Sequence, residues 1–375
     1  MEIQLIQSKE NNMEYIIFLT YRCNLKCPYC FASNVVFDEN SSKYCLSDSN
    51  KEQLIKFIKH DILIRSSKDN SIVFFGGEPT LVPDTIDYII NQTSGLNLKY
   101  SIYTNGLLLD AIPQHILLKF NTILVAIDGD KSAHETYKPA GSYEKVIKKI
   151  QNIRNIFPGE LIARITMEEN TNIFESVTNL LNIFDFVHWQ IVNKPHFDDP
   201  QALLESYSFN LDRLCNLWVE TLAKGIIYNI VPFNEIMSHM LVEDLNGHKS
   251  FFCGCGQDVM AIDVEGRIYQ CDEYINKPNS NVSSIQSQDV DLNYKSHTEI
   301  FDDCKDCSIS SICLGRCRKS LETLSTEQIR TYCSLTYILI KKLETKVEQV
   351  RKIIIQNQWN IDCFPHPIYN TEIIP

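Results

Sequence analysis

Apolar residues recur along this chain in two rhythms. Short runs rich in β-branched and aromatic residues read as strands: YIIFL from Tyr15, IVFF from Ile72, KYSIYT from Lys99, TILVAI from Thr122, LIARITM from Leu161 and FVHWQI from Phe186. Between them, stretches of helical period near 50–64, 83–92, 112–119, 142–156 and 171–184 read as amphipathic helices. Alternation of this kind predicts repeated βα units, an α/β class and a parallel sheet. Six such strands fit a partial, open (β/α)6 barrel of TIM-like logic better than a closed eightfold one.

Beyond FVHWQI the alternation stops. Residues 192–250 are predicted to form a mainly helical bridge, entered through the polar, proline-marked NKPHFDDP. Residues 251–335 combine crowded cysteines with short β-like pieces such as VMAIDVEGRIYQC, and 326–358 carry an amphipathic helical pattern. The expected organisation is an N-terminal extension over 1–14, a barrel over 15–191, the bridge over 192–250, a cysteine-rich domain over 251–335, and a C-terminal helix and tail over 336–375. No internal repeat or low-complexity tract is evident.

Composition narrows the function. A 375-residue chain with 44% apolar residues can bury one large core plus a satellite. The net charge of -12 offers no footprint for a phosphate backbone, so nucleic acid is not an expected partner. Neither a signal peptide nor a membrane span is evident, which makes the cytoplasm the expected location. In that reducing compartment 14 cysteines argue for metal sites rather than disulfides.

Cys23, Cys27 and Cys30, in LTYRCNLKCPYC directly after the first strand, supply three thiolates with no fourth Cys or His close by. A zinc knuckle needs four ligands, whereas three leave an open metal position of the kind catalytic sites keep. This loop resembles the CxxxCxxC loop of the radical S-adenosylmethionine (radical SAM) enzymes, with Tyr29 as the aromatic before the last cysteine. The resemblance implies a [4Fe-4S] cluster whose open iron chelates the amino and carboxylate groups of SAM, and whose electron releases a 5'-deoxyadenosyl radical. Further stretches match the family. Gly76, Gly77, Glu78 and Pro79 follow the second strand, where the glycines would let the backbone approach the SAM amino group. Thr104, Asn105 and Gly106 follow the third, in the family's ribose and methionine region, and Asp128 and Gly129 follow the fourth, where relatives line the SAM pocket. Turns and helix caps are the commoner use of such residues at strand ends. Many relatives carry an arginine where this chain has Lys138.

The C-terminal spacing, Cys255, Gly266, Cys271, then Cys304, Cys307, Cys313, Cys317 and Cys333, resembles the SPASM extension found on part of that family. A zinc ribbon also pairs CxxC units, but eight cysteines counting Cys253 exceed what one zinc needs, leaving two structural zincs or two clusters. The resemblance implies two auxiliary [4Fe-4S] clusters, for three in all. One would be held by Cys253, Cys255, Cys271 and Cys317, the other by Cys304, Cys307, Cys313 and Cys333. Protein-held clusters span roughly -700 to +450 mV and can take the electron of a substrate radical. The accompanying proton needs a base. Asp272, after Cys271, matches the catalytic aspartate of anaerobic sulfatase-maturating enzymes; as a bare sequence feature it is a turn carboxylate beside Glu273.

These features predict a peptide maturase that abstracts hydrogen from a ribosomally made precursor peptide and closes a thioether or carbon to carbon bond. Sulfatase maturation to formylglycine is the alternative, and a non-catalytic zinc scaffold the third. Expected partners are the peptide and a flavodoxin or ferredoxin reductant; since the first strand opens by residue 15, any leader is expected to be recognised by the 192–250 bridge or by a separate leader-binding protein. Cys45, Cys215 and Cys363 fit neither cluster pattern. His134, His188 and His196 are expected to be packed or solvated, and Lys341, Lys342 and Lys346 to form a solvated stripe.

Overall fold

The computed structural model describes residues 13–35, 42–67, 69–194, 196–241, 253–256, 258–275, 277–287, 290, 302–315, 317–367 and 374–375. Along the chain run β1 (Glu14–Thr20), α1 (Asp48–Arg65), β2 (Asn70–Gly76), α2 (Pro83–Thr93), β3 (Leu98–Thr104), α3 (Gln114–Leu117) and β4 (Thr122–Ala126). Next come α4 (Lys131–Tyr137), α5 (Ser142–Arg154), β5 (Glu160–Met167), α6 (Ile173–Thr178), β6 (Phe186–Ile191), α7 (Pro200–Ala223) and α8 (Val231–Leu241). The cysteine-rich half adds β7 (Val259–Ile262), β8 (Arg267–Tyr269), β9 (Ser283–Ser284), α9 (Ser310–Cys313), α10 (Arg318–Thr323), α11 (Thr326–Glu344) and α12 (Val347–Gln356). Among the described residues no helix is long and apolar enough to cross a membrane.

The chain divides into two compact units. The first takes the chain up to Ile123 with Asn152–Gly159 and Gly254–Lys295; the second takes Leu124–Gln151, Glu160–Cys253 and Ser296–Pro375. In the first the strand order is β3-β2-β1-β7-β8-β9. Parallel pairing joins β1 to β2, β2 to β3 and β1 to β7, while β7, β8 and β9 form an antiparallel meander. The β7–β8 turn is made by Asp263, whose Oδ1 accepts from the N–H of Glu265 and of Arg267, both at 2.9 Å. Gly266 sits there at φ +81°, and a Cβ on it would come within 2.7 Å of Ile285 Cδ1. Only glycine combines that backbone with that contact.

In the second unit β4, β5 and β6 lie side by side, with Arg164 opposite His188 and Thr166 opposite Gln190 in the parallel β5–β6 register. Trp189, on the other face of β6, packs edge-on against Phe233 of α8 and donates to the Tyr207 hydroxyl of α7 at 3.2 Å. Strand runs buried nearly throughout are what a parallel sheet covered by helices requires.

Sequence and structure differ at several helices. The pattern over 326–358 is two helices, because Thr345 and Lys346 interrupt it; α3 keeps only Gln114–Leu117 of 112–119, and α6 only Ile173–Thr178 of 171–184. Helix α4 was not foreseen, although Asp130 caps it by accepting from Ala133 N. The lysine stripe does more than expected. Lys341 pairs with Glu344 at 2.7 Å, Lys342 reaches Asp212 of α7 at 2.5 Å, and Lys346 reaches Asn216 of α7 at 2.8 Å. Two of the three therefore tie the C-terminal helices to α7 through contacts that are themselves exposed, so the stripe is solvated and also bridging.

Candidate active site

At the carboxyl ends of β1, β2 and β3 one buried carboxylate gathers three segments. Glu78 is 1% exposed, and its Oε1 accepts from the Thr80 N–H at 3.1 Å, the Thr80 hydroxyl at 2.5 Å and the Thr104 hydroxyl at 2.7 Å. Its Oε2 accepts from the Asn105 N–H at 2.8 Å. Burial raises its pKa while these hydrogen bonds pull it back. Asn105 then donates from Nδ2 to Asn24 Oδ1 at 2.7 Å, reaching the cysteine loop. The Gly77 and Glu78 N–H groups donate to the carbonyls of Thr20 and Arg22, both at 2.8 Å. The glycines have a sharper reason than ligand approach alone: a Cβ on Gly76 would lie 2.3 Å from Thr20 O, and one on Gly77 2.2 Å from Arg22 O. Their bareness lets β2 close onto the segment that leads to Cys23.

The donor set of that loop fits a thiolate-held cluster. Cys23 is pushed up to about 12, first by burial and then by the charges of Glu78, Cys27 and Cys30, so the three sulfurs share one field. Burial likewise raises Cys30, whose sulfur also feels Glu273. Such crowding disfavours free thiolates and is reversed by cationic iron. Backbone N–H groups already face two of the sulfurs, Leu25 toward Cys23 at 3.4 Å and Ala32 toward Cys30, the kind of hydrogen bond that tunes iron-sulfur centres. Tyr29 is half-buried in the turn before Cys30. Among the described residues no three His, Cys, Asp or Glu side chains are gathered as a metal-ion site.

In the second unit Asp128, after β4, spends its carboxylate internally. Oδ2 pairs with Lys138 Nζ at 2.5 Å, Oδ1 accepts from Thr166 N–H at 3.0 Å, and the Asp128 N–H donates to His134 Nδ1 at 3.3 Å. Burial and the neighbouring Lys138 push His134 down to about 4, so the ring is neutral at pH 7. Lys138, the departure from the family's arginine, thus meets a carboxylate of its own chain. His188 is fully buried beside Gln190, and His196 is exposed.

A family model described as the radical SAM superfamily matches residues 17–175, the stretch that holds the cysteine loop, Glu78, Thr104 and Asp128. The chain carries a radical SAM domain. A cysteine-type anaerobic sulfatase-maturating enzyme of Clostridium novyi is 25% identical to it over 332 residues, covering 80% of this chain and 86% of that one. The radical SAM cyclopropyl synthase TigE of Paramaledivibacter caminithermalis is 24% identical over 371 residues, covering 91% and 76%. The solved structure of anSMEcpe with bound AdoMet aligns with a TM-score of 0.69 at 20% identity, covering 90% of this chain and 99% of that one. Streptococcus suis SuiB bound to precursor peptide SuiA aligns at 0.58 and 17% identity, covering 82% and 72%. These structural likenesses establish the α/β fold, with a cysteine-rich C-terminal region following the radical SAM domain.

Of the C-terminal cysteines, Cys255 and Cys271 belong to the first unit, flanking the β7–β8 hairpin, and the Gly256 N–H to Gln270 carbonyl bond of 3.2 Å holds their neighbours together. Cys253 and Cys317 belong to the second. So do Cys304, Cys307, Cys313 and Cys333. There Arg330 of α11 pairs with Asp303 at 2.9 Å, bringing the helix that carries Cys333 to the turn that carries Cys304. Cys307 N–H donates to the Cys304 carbonyl at 3.3 Å, and the Cys313 thiol donates to the Gly315 carbonyl at 3.5 Å. Asp272 opens a single 3-10 turn, Asp272–Tyr274, and the charge of its neighbour Glu273 reaches Cys30.

Sequence reasoning missed Asn24, Thr80 and the Lys138 to Asp128 pair. An asparagine in the cysteine loop and a threonine after Pro79 were available signals, since both residue types habitually bond loop backbone. Cys45, set aside, lies 3.3 Å from the Thr20 hydroxyl, and Cys215 is wholly buried in α7.

Proposed function

We propose that this radical SAM enzyme is a maturase of a ribosomally made peptide, carrying a SPASM extension with two auxiliary [4Fe-4S] clusters. The observation that carries the reading is the pairing of β7 with β1, which seats the hairpin flanked by Cys255 and Cys271 on the sheet of the radical SAM domain. Likeness to SuiB, solved with its precursor peptide, adds support.

In this reading Cys23, Cys27 and Cys30 hold the SAM-binding cluster, which supplies one electron for SAM cleavage. Gly76, Gly77, Glu78, Pro79, Thr104, Asn105, Asp128 and Tyr29 form or brace the SAM pocket. Cys304, Cys307, Cys313 and Cys333 hold one auxiliary cluster, while Cys253, Cys255, Cys271 and Cys317 serve the other. The balance is two hydrogens removed from the peptide. One would leave as an atom, giving 5'-deoxyadenosine; the other would leave as an electron, for which the auxiliary cluster held by these cysteines would be the acceptor, and as a proton for which Asp272 would be the base, so that the two substrate atoms join. A flavodoxin or ferredoxin would provide the priming electron, and the helical bridge or a separate protein would recognise a leader.

Coexpression with the short open reading frame beside the gene, followed by mass spectrometry, tests this: a loss of about 2 Da per cross-link is expected. An unmodified peptide together with formylglycine on a neighbouring sulfatase would favour the second reading. Sulfatase maturation is supported by the likeness to the Clostridium novyi enzyme and by Asp272 following Cys271. Asp272→Asn should slow product formation more than 5'-deoxyadenosine release; parallel loss of both would remove Asp272 as the proton acceptor.

A further inference from the structure

Helix α11 carries, one residue before Cys333, a tyrosine whose hydroxyl is bound to the loop leaving β6. Tyr332 is 2% exposed, and its ring packs against Phe197 with centroids 5.4 Å apart. The hydroxyl accepts from the Lys194 N–H at 3.0 Å and lies 2.8 Å from the Val192 carbonyl and 3.1 Å from the Lys194 carbonyl, to which its single proton is shared. One side chain thus satisfies the backbone of the first turn beyond the strand. Lys194 in turn reaches back to the segment leaving β5. Its Nζ lies 3.0 Å from Glu168 and 3.5 Å from Glu169, and 5.1 Å above the Phe197 ring. Glu169 also accepts from the N–H groups of Asp198, at 2.9 Å, and Asp199, which caps α7.

The carboxyl ends of parallel strands are where α/β barrels bind their ligands. Here the mouths of β5 and β6 are cross-linked to each other through Lys194 and then referred, through Tyr332, to a helix 138 residues further along the chain. The Tyr332 hydroxyl and its ring contact with Phe197 fix the loop after β6 against α11.

We propose that Tyr332 is a positioning residue that holds the mouth of β5 and β6 in register with the helix bearing Cys333, so that a substrate seated at that mouth is presented correctly to the electron acceptor. It acts through the Val192–Lys194 loop and does not touch the substrate. The inference deepens the maturase reading and rests on it in taking Cys333 as a cluster ligand.

The test is Tyr332→Phe in the full, anaerobically reconstituted chain, which keeps the ring on Phe197 and removes only the hydroxyl. Iron and sulfide content and reductive SAM cleavage should stay within about twofold, while amide exchange across Val192–Lys194 speeds up about tenfold, the size expected for one lost buried hydrogen bond. With the modified peptide in hand, 5'-deoxyadenosine released per product should rise severalfold. Unchanged exchange, or SAM cleavage and product falling together, would overturn the proposal. Cys333→Ala separates the two readings: retention of full iron content would remove Cys333 as a ligand, whereas the exchange measurement on Tyr332→Phe reads the loop whatever the substrate or metal.

Discussion

Lys138 Nζ lies 2.5 Å from Asp128 Oδ2, and both side chains are 2% exposed. An ion pair so dry is held by geometry, and removing one partner strands the other charge. Lys138→Met should therefore cost about 3–5 kcal/mol of stability in urea denaturation, because the buried Asp128 carboxylate loses the cation that faces it. Adding Asp128→Asn should recover much of that loss. Equal damage from the single and double variants would show that the pair is not the source.

Glu78 should behave as a hub. Glu78→Ala leaves four buried donors, the Thr80 N–H and hydroxyl, the Thr104 hydroxyl and the Asn105 N–H, without their acceptor. Each orphaned donor costs roughly 1–3 kcal/mol before relaxation, so the loops after β2 and β3 should loosen together. The expected outcome is at least a tenfold weaker SAM affinity by calorimetry, about 1.4 kcal/mol, with iron loading of the Cys23 loop largely retained.

The C-terminal tail should be held in a pH-dependent way. Phe364 stacks on Trp218 at 5.3 Å, Asn234 donates to the Pro365 carbonyl at 3.1 Å, and His366 Nδ1 lies 2.8 Å from Glu235 Oε1. The hydrogen bond to Glu235 raises the His366 pKa, with Asp362 adding to it. A raised folded-state pKa means the stabilisation is complete below the unfolded value of about 6.5 and disappears as pH climbs through the folded one. Trp218 fluorescence should report tighter docking near pH 6 than near pH 8. Glu235→Gln should flatten that profile; a slope that persists would assign it elsewhere.

Cluster roles can be separated by two thiols. Cys23→Ala should abolish SAM cleavage, whereas Cys313→Ala should preserve reductive SAM cleavage and block product. Normal turnover of peptide by Cys313→Ala would refute an electron-accepting or substrate-binding role for that cluster.

Most of the strand framework was legible because β-branched runs such as TILVAI and FVHWQI are buried on both faces, which leaves a continuous apolar signature. The cysteine loop and the Gly76 to Pro79 turn were legible because few chemistries use that spacing. Lys138, Tyr332 and Lys194 were not. Their importance comes from contacts across the fold, as when Tyr332 meets Val192, and no local pattern encodes a partner so distant in sequence. Helix α4 was hidden because its polar segment KSAHETY has no apolar stripe, its support being the Asp130 cap and the buried His134.

Because β7 lies parallel on β1, the cysteine-rich segment covers what would otherwise be a raw margin of hydrogen-bonding groups. Cutting the chain before that segment would not release a smaller enzyme. It would bare a row of unpaired amides and carbonyls along Glu14 to Ile17, an invitation to self-association that sheet proteins normally guard against.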